Sequence, residues 1–414
     1  MHGLSPEEDE IRRSIHRFAL EVLRPAGRSL DAMRPEEVVS PGSPLWEVMR
    51  RWYSLAHHTA GIPLDLGGSG LGPLTRHLLL EELGWGSAGL AVGLGVAALP
   101  FEVSAAVATM TGNARLVDEV VIPFVQDREG RFVGCWAITE PSHGSDTLGV
   151  GTEAFTRPEA AGSCRAVADG DGWVLTGEKA AWISNGSIAT HALLFCTVEP
   201  ARGPAGGGVA LVPLDLPGVE RGRPLDKLGQ RDLNQGSVRF DGARLPAHLM
   251  LVGPEMYPLV LSSVLALANS GMGAIFTGVA RAAFEEALAY AGVRKQGGRL
   301  IADHQMVQGK LFTMFAAVEG ARALSRAVLA HNTEVFPPSL AHAIASKVTC
   351  TQTAVEVAGD AIQLLGGMGL SKETLVEKLF RDARASLVED GVNEFLALVG
   401  ARQVLDGYDR DARY

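Results

Sequence analysis

The spacing of apolar residues along the chain changes character twice. From Pro6 to about residue 130 they recur every three or four positions, as in HLLLEELGW at 77–85, which is the spacing of amphipathic helices. From about 131 to 245 the chain carries short β-branched and aromatic runs separated by Gly, Pro and Asp, which predicts strands. Beyond 255 the helical period returns. The pattern predicts an α+β fold in three parts: a helical domain at 1–130, a β domain at 131–245 and a helical bundle at 246–414.

Strand and helix ends can be predicted within these parts. Five runs carry the strand signal: RFVGCWAIT, GWVLTGEKAAWIS, HALLFCTV, GVALVPL and GSVRF. The stretch PARGPAGGG at 200–208 is interpreted as a hairpin loop, because strand signals resume directly after it. Gly297 and Gly298 should separate two helices, and FPPS at 336–339 should end another and offer Ser339 as an N-cap. One buried helical stripe is predicted from Val307, Leu311, Met314, Val318, Ala321, Leu324 and Val328.

Composition narrows the possible partners. The net charge of −10 offers no basic field, so nucleic acid is not expected. The four cysteines are far apart and show no metal-ligand spacing, so we expect neither a metal site nor a disulfide framework. The chain starts with an acidic, helix-like segment and no run reaches eighteen apolar residues. We therefore expect a cytoplasmic protein with no membrane anchor.

Three segments are candidates for chemistry. The match to G-x-G-x-x-G at 84–89 follows a helical run and not a strand, which favours a glycine-rich helix junction over a dinucleotide site. In WAITEPSHGSD, 136–146, a strand runs into a Ser/Gly loop that can cradle a phosphate or a ring edge, although local physics favours a plain β-turn. In GEKAAWISNG, 177–186, Trp182 and Ser184 share a strand face, which suits either a flat heteroaromatic ring or a core tryptophan.

These segments belong to a longer set of motifs. ITEPSHGSD, WISNG, KLGQRDLNQGSVRFDGARLP, VRKQGGRLIADHQ, QLLGGMGL and EKLFRDARASLVEDG occur in this order, and together they resemble the acyl-CoA dehydrogenases over residues 5–405. The resemblance implies a helical domain, a β domain and a four-helix bundle, with one FAD per subunit. It also implies an acyl-CoA or acyl-carrier-protein substrate, an electron-transfer flavoprotein as acceptor, and a homotetramer (dimer of dimers) or homodimer.

The resemblance also assigns cofactor residues. It places Ile138, Thr139, Trp182 and Ser184 at the flavin ring, and Ser145 at the phosphate side of the cofactor or substrate. A neighbouring subunit would complete the FAD site with five residues: Arg294, Gln305, Gln363, Gly366 and Gly367.

Three carboxylates stand close together in SLVEDGVNEF, 386–395. The resemblance puts Asp390 where a catalytic glutamate usually precedes a glycine, so Asp390 is the expected base and Gly391 a substrate contact. Asp390 could otherwise be the N-cap of the helix that begins NEFLALVGAR. Glu389 and Glu394 are interpreted as solvated or capping charges. Aspartate is one methylene shorter than glutamate, about 1.5 Å.

The expected function is FAD-dependent α,β-dehydrogenation of an acyl thioester. Two alternatives stay open. One is a flavin oxidase of the nitroalkane oxidase type, because that related group uses aspartate as its base. The other is a non-catalytic protein that binds an acyl thioester or FAD, suggested by departures from the family at His143, Gly297, Asp390 and Val392. The small apolar run at 86–101 suggests a roomy acyl pocket.

Overall fold

The N-terminal part of the protein is helical. The structure, a computed structural model, describes residues 4–407. Its first helices bury their apolar faces against one another, and Ser5 caps the first of them through a capping box with Glu8. These helices are α1 (Pro6–Phe18), α2 (Arg24–Asp31), α3 (Pro35–Val38), α4 (Pro44–Ser54), α5 (Pro73–Gly86), α6 (Ala88–Thr111), α7 (Ala114–Leu116) and α8 (Ile122–Gln126).

An eight-stranded sheet forms the middle of the molecule. Its strands are β1 (Gly134–Ala137), β2 (Arg165–Asp169), β3 (Gly172–Ser184), β4 (His191–Thr197), β5 (Gly207–Pro213), β6 (Val219–Arg221), β7 (Gln235–Pro246) and β8 (Met250–Val252). The order across the sheet is β6-β7-β3-β2-β4-β5-β8, and β1 pairs with β4 in parallel. β8 pairs with β5, so the sheet continues beyond residue 245, and the domain boundaries stay predictions.

The C-terminal part is a bundle of long helices around the central α9. Its elements are α9 (Tyr257–Ala291), α10 (Gln305–Glu334), α11 (Leu340–Leu365), α12 (Val376–Ser386) and α13 (Asn393–Gly407), with a hairpin of β9 (Lys295–Gln296) and β10 (Arg299–Leu300) after α9. By length and composition α6 and α9 would suit a membrane span, but 72% and 67% of their most apolar windows are buried within the fold. That burial is typical of core helices.

The predicted order of helices, sheet and helices is confirmed, with local corrections. All five strand runs form strands, and 200–208 joins the antiparallel β4 and β5 as predicted. Strands β2, β6 and β8 were not predicted, because they have only five, three and three residues and carry too short a pattern. Gly297 and Gly298 form the β9–β10 turn with φ of +60° and +81°. Ser339 is at the N-cap of α11, but its hydroxyl bonds His342 Nδ1 at 2.7 Å and caps no backbone N–H.

The glycine match at 84–89 lies at the junction of α5 and α6, with no strand before it. A Cβ on Gly84 would lie 2.0 Å from the carbonyl oxygen of Ile275 in α9. The glycine therefore lets α5 and α9 approach closely, and the helix-junction interpretation is confirmed.

Candidate active site

A cavity of about 1010 Å³ lies where the sheet meets the helices. Its walls come from α6, β1 and the loop that follows, β3, the segment at 227–229, the end of α12 and the loop at 388–392. Seven of the predicted site residues line it: Ile138, Thr139, Ser145, Trp182, Ser184, Asp390 and Gly391. The fold thus brings together residues up to 250 positions apart in the chain, as the resemblance implied.

A bulge in β3 sets the position of Trp182. Lys179 pairs with Val238 and Ile183 with Gly236, so three residues of β3 stand opposite one residue of β7. In the bulge, the backbone N–H of Ala180 donates to the carbonyl of Thr139 at 2.8 Å, which ties β3 to the loop after β1. Trp182 is 59% exposed and lines the cavity. It is therefore no core tryptophan but an indole available to a flat ligand.

The loop after β1 contains the predicted β-turn and also faces the cavity. The backbones of Glu140 and His143 exchange two hydrogen bonds, at 2.8 and 3.2 Å. The Glu140 carboxylate accepts from the Lys179 ammonium at 2.7 Å and holds the turn in place. His143 Nδ1 lies 2.7 Å from Asp146 Oδ2. The β-turn interpretation is therefore confirmed, the turn forms a wall of the cavity, and its role as a cradle for a phosphate or a ring edge stays a prediction.

Asp390 occupies a backbone conformation that few non-glycine residues adopt. Its φ is +49°, and that of Gly391 is +98°. The Lys347 ammonium, buried in α11, donates to the Gly391 carbonyl at 2.7 Å and to Asn393 Oδ1 at 2.6 Å. The backbone N–H of Val392 donates to the Ser145 hydroxyl at 3.0 Å, which joins this loop to the loop after β1. Such contacts offset the strain of the left-handed residue.

The Asp390 carboxylate is free to react. It accepts no hydrogen bond from any residue between 4 and 407, and it lines the cavity. Because α13 begins at Asn393, Asp390 is not the N-cap, and the capping interpretation is wrong.

Glu389 requires a correction. It was interpreted as a solvated or capping charge, but its side chain lines the cavity beside Asp390. Its Oε2 accepts from Gln230 Nε2 at 2.5 Å, and the Gln230 backbone N–H is held by Asp382 Oδ1 at 2.5 Å. Glu394, in contrast, is exposed and outside the cavity wall, as predicted.

Burial raises the pKa of two of the carboxyl groups that line the cavity, those of Asp390 and Glu389. It raises the pKa of Asp390 to about 6, against the lowering effect of Lys347. It raises the pKa of Glu389 to about 7, where Lys227 and Gln230 oppose the shift and the Asp390 charge adds to it. A carboxylate that titrates near neutral pH is a stronger base than a solvated one.

A second cavity, of about 980 Å³, collects the remaining predicted cofactor residues. Its lining includes Arg294, Gln305, Gln363, Gly366 and Gly367, and it shares no residue with the first cavity. A Cβ on Gly366 or Gly367, two of the three glycines that line it, would meet nothing within 4 Å, so the space beside them is open. An arginine, glutamines and open glycine backbone form a donor set that suits a phosphate-bearing group. Within one chain, the ten predicted cofactor residues therefore form two separate groups.

Gly297, one of the departures from the family pattern, also lines this second cavity. The His304 imidazole lies 3.4 Å from where a Cβ on Gly297 would be, so it fills part of the space that a larger residue would need. His304 is itself fixed by Gln296 and Arg299, at 3.0 and 3.2 Å.

The fold and the two cavities define a flavoprotein oxidoreductase. The sequence profiles of the acyl-CoA dehydrogenase N-terminal, middle and C-terminal domains match residues 5–112, 135–243 and 260–405. The chain belongs to the acyl-CoA dehydrogenase family, whose members bind FAD. The residues present fit this cofactor: an exposed indole and hydroxyls line one cavity, and phosphate donors line the other.

Individual relatives cover nearly the whole chain. It is 32% identical over 349 residues to the mitochondrial short-chain specific acyl-CoA dehydrogenase of Homo sapiens, covering 84% of this chain and 79% of that protein. It is 31% identical over 402 residues to benzylmalonyl-CoA dehydrogenase of Aromatoleum aromaticum, covering 97% and 98%. The structure of butyryl-CoA dehydrogenase from Megasphaera elsdenii superposes with a TM-score of 0.85 at 25% identity, covering 98% and 100%.

Besides Glu389, the sequence analysis missed two lysines that shape the site. Lys347 lies on the buried face of α11 with Ile344, Thr351 and Ala354, and a lysine within a stripe at helical spacing is the signal that could have found it. Lys227 lies in the quoted KLGQRDLNQ motif, but nothing in its neighbours shows that its side chain lines the cavity.

Proposed function

We propose that the protein oxidises an acyl thioester, acyl-CoA to 2-enoyl-CoA, with Asp390 as the base. One observation carries the proposal: the Asp390 carboxylate lines the cavity, accepts no hydrogen bond from residues 4–407, has a pKa raised to about 6, and lies in a loop fixed by Lys347. The indole of Trp182 and the hydroxyls of Thr139 and Ser184 line the same cavity. Bound FAD supplies the acceptor for the hydride that leaves the β carbon.

The chain's own task is to take the α proton. The α C–H bond breaks, its proton goes to the Asp390 carboxylate, and its electron pair becomes part of the new α,β double bond. Aspartate reaches about 1.5 Å less far than glutamate. The left-handed backbone at Asp390, with φ of +49°, offers a means of bringing the shorter side chain into the cavity. The apolar residues Val92 and Val96 of α6 would keep water away from the reacting carbons.

We further propose a homotetramer, a dimer of dimers, or a homodimer, because the phosphate donors in the second cavity share no lining with the flavin cavity of the same chain. A neighbouring subunit would bring the two halves together. An electron-transfer flavoprotein is the proposed acceptor and the cytoplasm the proposed location. Light scattering of the FAD-loaded protein tests the assembly, since a stable monomer with full FAD content would contradict it.

The function is tested by anaerobic titration of the FAD-loaded protein with acyl-CoAs of graded length, followed by flavin absorbance. Bleaching by a thioester supports the proposal. Rapid reoxidation of the bleached flavin by air, with peroxide formed, would instead assign a flavin oxidase. Bleaching by nitroalkanes alone would favour the nitroalkane oxidase type, and tight thioester binding without bleaching would favour a non-catalytic protein.

The rate of flavin reduction should depend on pH through both cavity carboxyls. Because the base must be ionised, the second-order rate constant should rise with pH through about 6. Glu389, with a pKa of about 7, loses its proton at higher pH, and its negative charge beside the base changes the rate constant in a second step. Stopped-flow measurements from pH 5 to 9 should therefore show two steps in the native protein and one in Glu389→Gln. A rate that falls across this range would contradict Asp390 as base.

A further inference from the structure

Lys227 and Glu389 are two of the charged side chains that line the flavin cavity without a role in proton transfer; Glu140 and Arg384 are the others among residues 4–407. Lys227 Nζ donates to Gln235 Oε1 at 2.7 Å, and Gln235 Nε2 lies 3.2 Å from the Trp182 carbonyl and 3.3 Å from the Ser184 hydroxyl. Glu389 Oε2 is held by the buried Gln230. Both charges are therefore fixed in the wall and are not mobile surface groups.

Each of the two groups keeps unused hydrogen-bonding capacity. An ammonium has three N–H donors, and Lys227 uses one of them within residues 4–407. Glu389 Oε1 accepts from no residue in that same range. Although both groups line one cavity, they form no ion pair within 4.0 Å of each other. A free donor and a free acceptor thus line one cavity, and each residue is the main opposite charge acting on the pKa of the other.

Between the pKa of Glu389, about 7, and that of Lys227, which burial lowers to about 8, the charges of this pair select which ligand group can bind both residues. An acyl group that carries a carboxylate is attracted by Lys227 and repelled by Glu389, and one that carries an ammonium meets the reverse. A plain alkyl chain would displace water from both groups without forming a hydrogen bond to either. The desolvation of charged groups without such a bond costs free energy. A hydroxyl or amide donates to the carboxylate and accepts from the ammonium, so it satisfies both at once.

We propose that the preferred acyl group carries a neutral substituent, a hydroxyl or an amide, that binds between Lys227 and Glu389. The inference rests on the proposed function, because it names the substrate class of that same site. Val92 and Val96 leave the α6 wall apolar, so a polar substituent finds no partner on that side of the cavity. Sites that hydrogen-bond a substrate group reject analogues that lack it far more strongly than apolar pockets reject an extra methylene.

The test compares CoA thioesters of matched chain length on the FAD-loaded protein: unsubstituted, ω-carboxyl, ω-amino, amide-bearing, and a full series of hydroxyl positions. The second-order rate of flavin reduction is measured for each thioester. The Kd of each matching 2-enoyl-CoA is measured by calorimetry, which needs no turnover. We expect at least one hydroxyl isomer or the amide to exceed the unsubstituted thioester by about 100-fold or more in rate and in affinity.

Matched variants separate specificity from structural damage. Glu389→Gln should shift preference toward the carboxyl-bearing thioester, because the repulsion by the Glu389 carboxylate is then removed while the attraction by Lys227 remains. Lys227→Gln should shift it toward the amino-bearing one. Glu220→Gln, an exposed position on β6, is the control for loss of one negative charge and should leave the order unchanged. A structural role for either residue would lower all rates together and cause no such crossover.

The outcomes distinguish the two proposals. If simple acyl-CoAs reduce the flavin as well as every hydroxyl and amide analogue does, and Kd values show no preference, this inference is overturned and the proposed function stands. If no thioester reduces the flavin, the proposed function fails. In that case the order of Kd values alone decides whether Lys227 and Glu389 bind a neutral polar substituent.

Discussion

Replacing Asp390 by Asn should lower the rate of flavin reduction by an acyl thioester by about 10²- to 10⁴-fold, the usual contribution of a general base. Asn has nearly the same shape and cannot accept the α proton. The loop should stay in place, because Lys347 holds the Gly391 carbonyl and Asn393 and makes no hydrogen bond to the Asp390 side chain. The Kd of a 2-enoyl-CoA should therefore change little. Single-turnover stopped-flow and equilibrium binding measure the two quantities.

Glu389 makes this test sharper, because it is the one rival carboxylate adjacent to Asp390 in the cavity wall. Glu389→Gln should still reduce flavin with some thioester and still respond to pH. Loss of reduction in Glu389→Gln together with near-native rates in Asp390→Asn would transfer the role of base to Glu389. Asp390→Glu tests whether the length of the side chain matters, because it keeps the carboxylate and moves it about 1.5 Å further from the backbone. A shift of optimum substrate in this variant, without loss of rate, would show that the short side chain is matched to its substrate.

The contrast between Trp182 and Glu389 shows what the sequence could and could not predict. The strand that carries Trp182 was predicted from its own residues, since alternating β-branched and aromatic residues specify a strand locally. The bulge that exposes the indole depends on the register between β3 and β7, which lies about fifty residues away. The local sequence pattern does not predict that register. The role of Trp182 came from the resemblance and not from the strand.

The place of Glu389 in the cavity wall could not be predicted, because it depends on the backbone conformation of the loop. In extended chain, neighbouring side chains point to opposite sides, so two adjacent carboxylates would not be expected to share one cavity. The left-handed backbone at Asp390 breaks that alternation and lets both line the wall. Aspartate adopts positive φ more often than most non-glycine residues, but still uncommonly, so the residue type alone does not predict it there. The Lys347 contacts that fix this loop come from a different helix.

Buried lysines are the other group that sequence alone does not reveal, because lysine is most often solvated. Lys378 in α12 is 5% exposed and donates to Asp382 Oδ2 at 2.5 Å and to Asp232 Oδ1 at 3.3 Å. The Ser87 hydroxyl bonds the other oxygen of Asp232. Asp382 in turn holds Gln230, the residue that fixes Glu389. The Lys378 ammonium thus pairs with two buried carboxylates, and Asp382 supports the cavity wall through Gln230.

Replacing Lys378 by Met should lower the free energy of unfolding by about 3–5 kcal/mol at pH 8, the usual cost of leaving buried charge unpaired. Burial already raises the pKa of Asp382, and loss of the ammonium would raise it further. A carboxyl with a higher pKa in the folded than in the unfolded chain makes the folded protein bind more protons, so stability falls as pH rises from about 4. The destabilisation should therefore be smaller at pH 5. Urea unfolding of the FAD-loaded protein at both pH values measures it.

Lys372→Met is the matched control, since Lys372 is exposed and should change stability by no more than about 0.5 kcal/mol. Adding Asp382→Asn to Lys378→Met should recover part of the loss at pH 8, because it removes one of the two unpaired charges. Equal destabilisation at pH 5 and pH 8 would contradict a charge-pairing role and would leave only lost packing. Because Asp382 anchors Gln230, the variant should also loosen Glu389 and weaken any preference for hydroxyl-bearing thioesters, which links the stability of this charge cluster to the selectivity of the cavity.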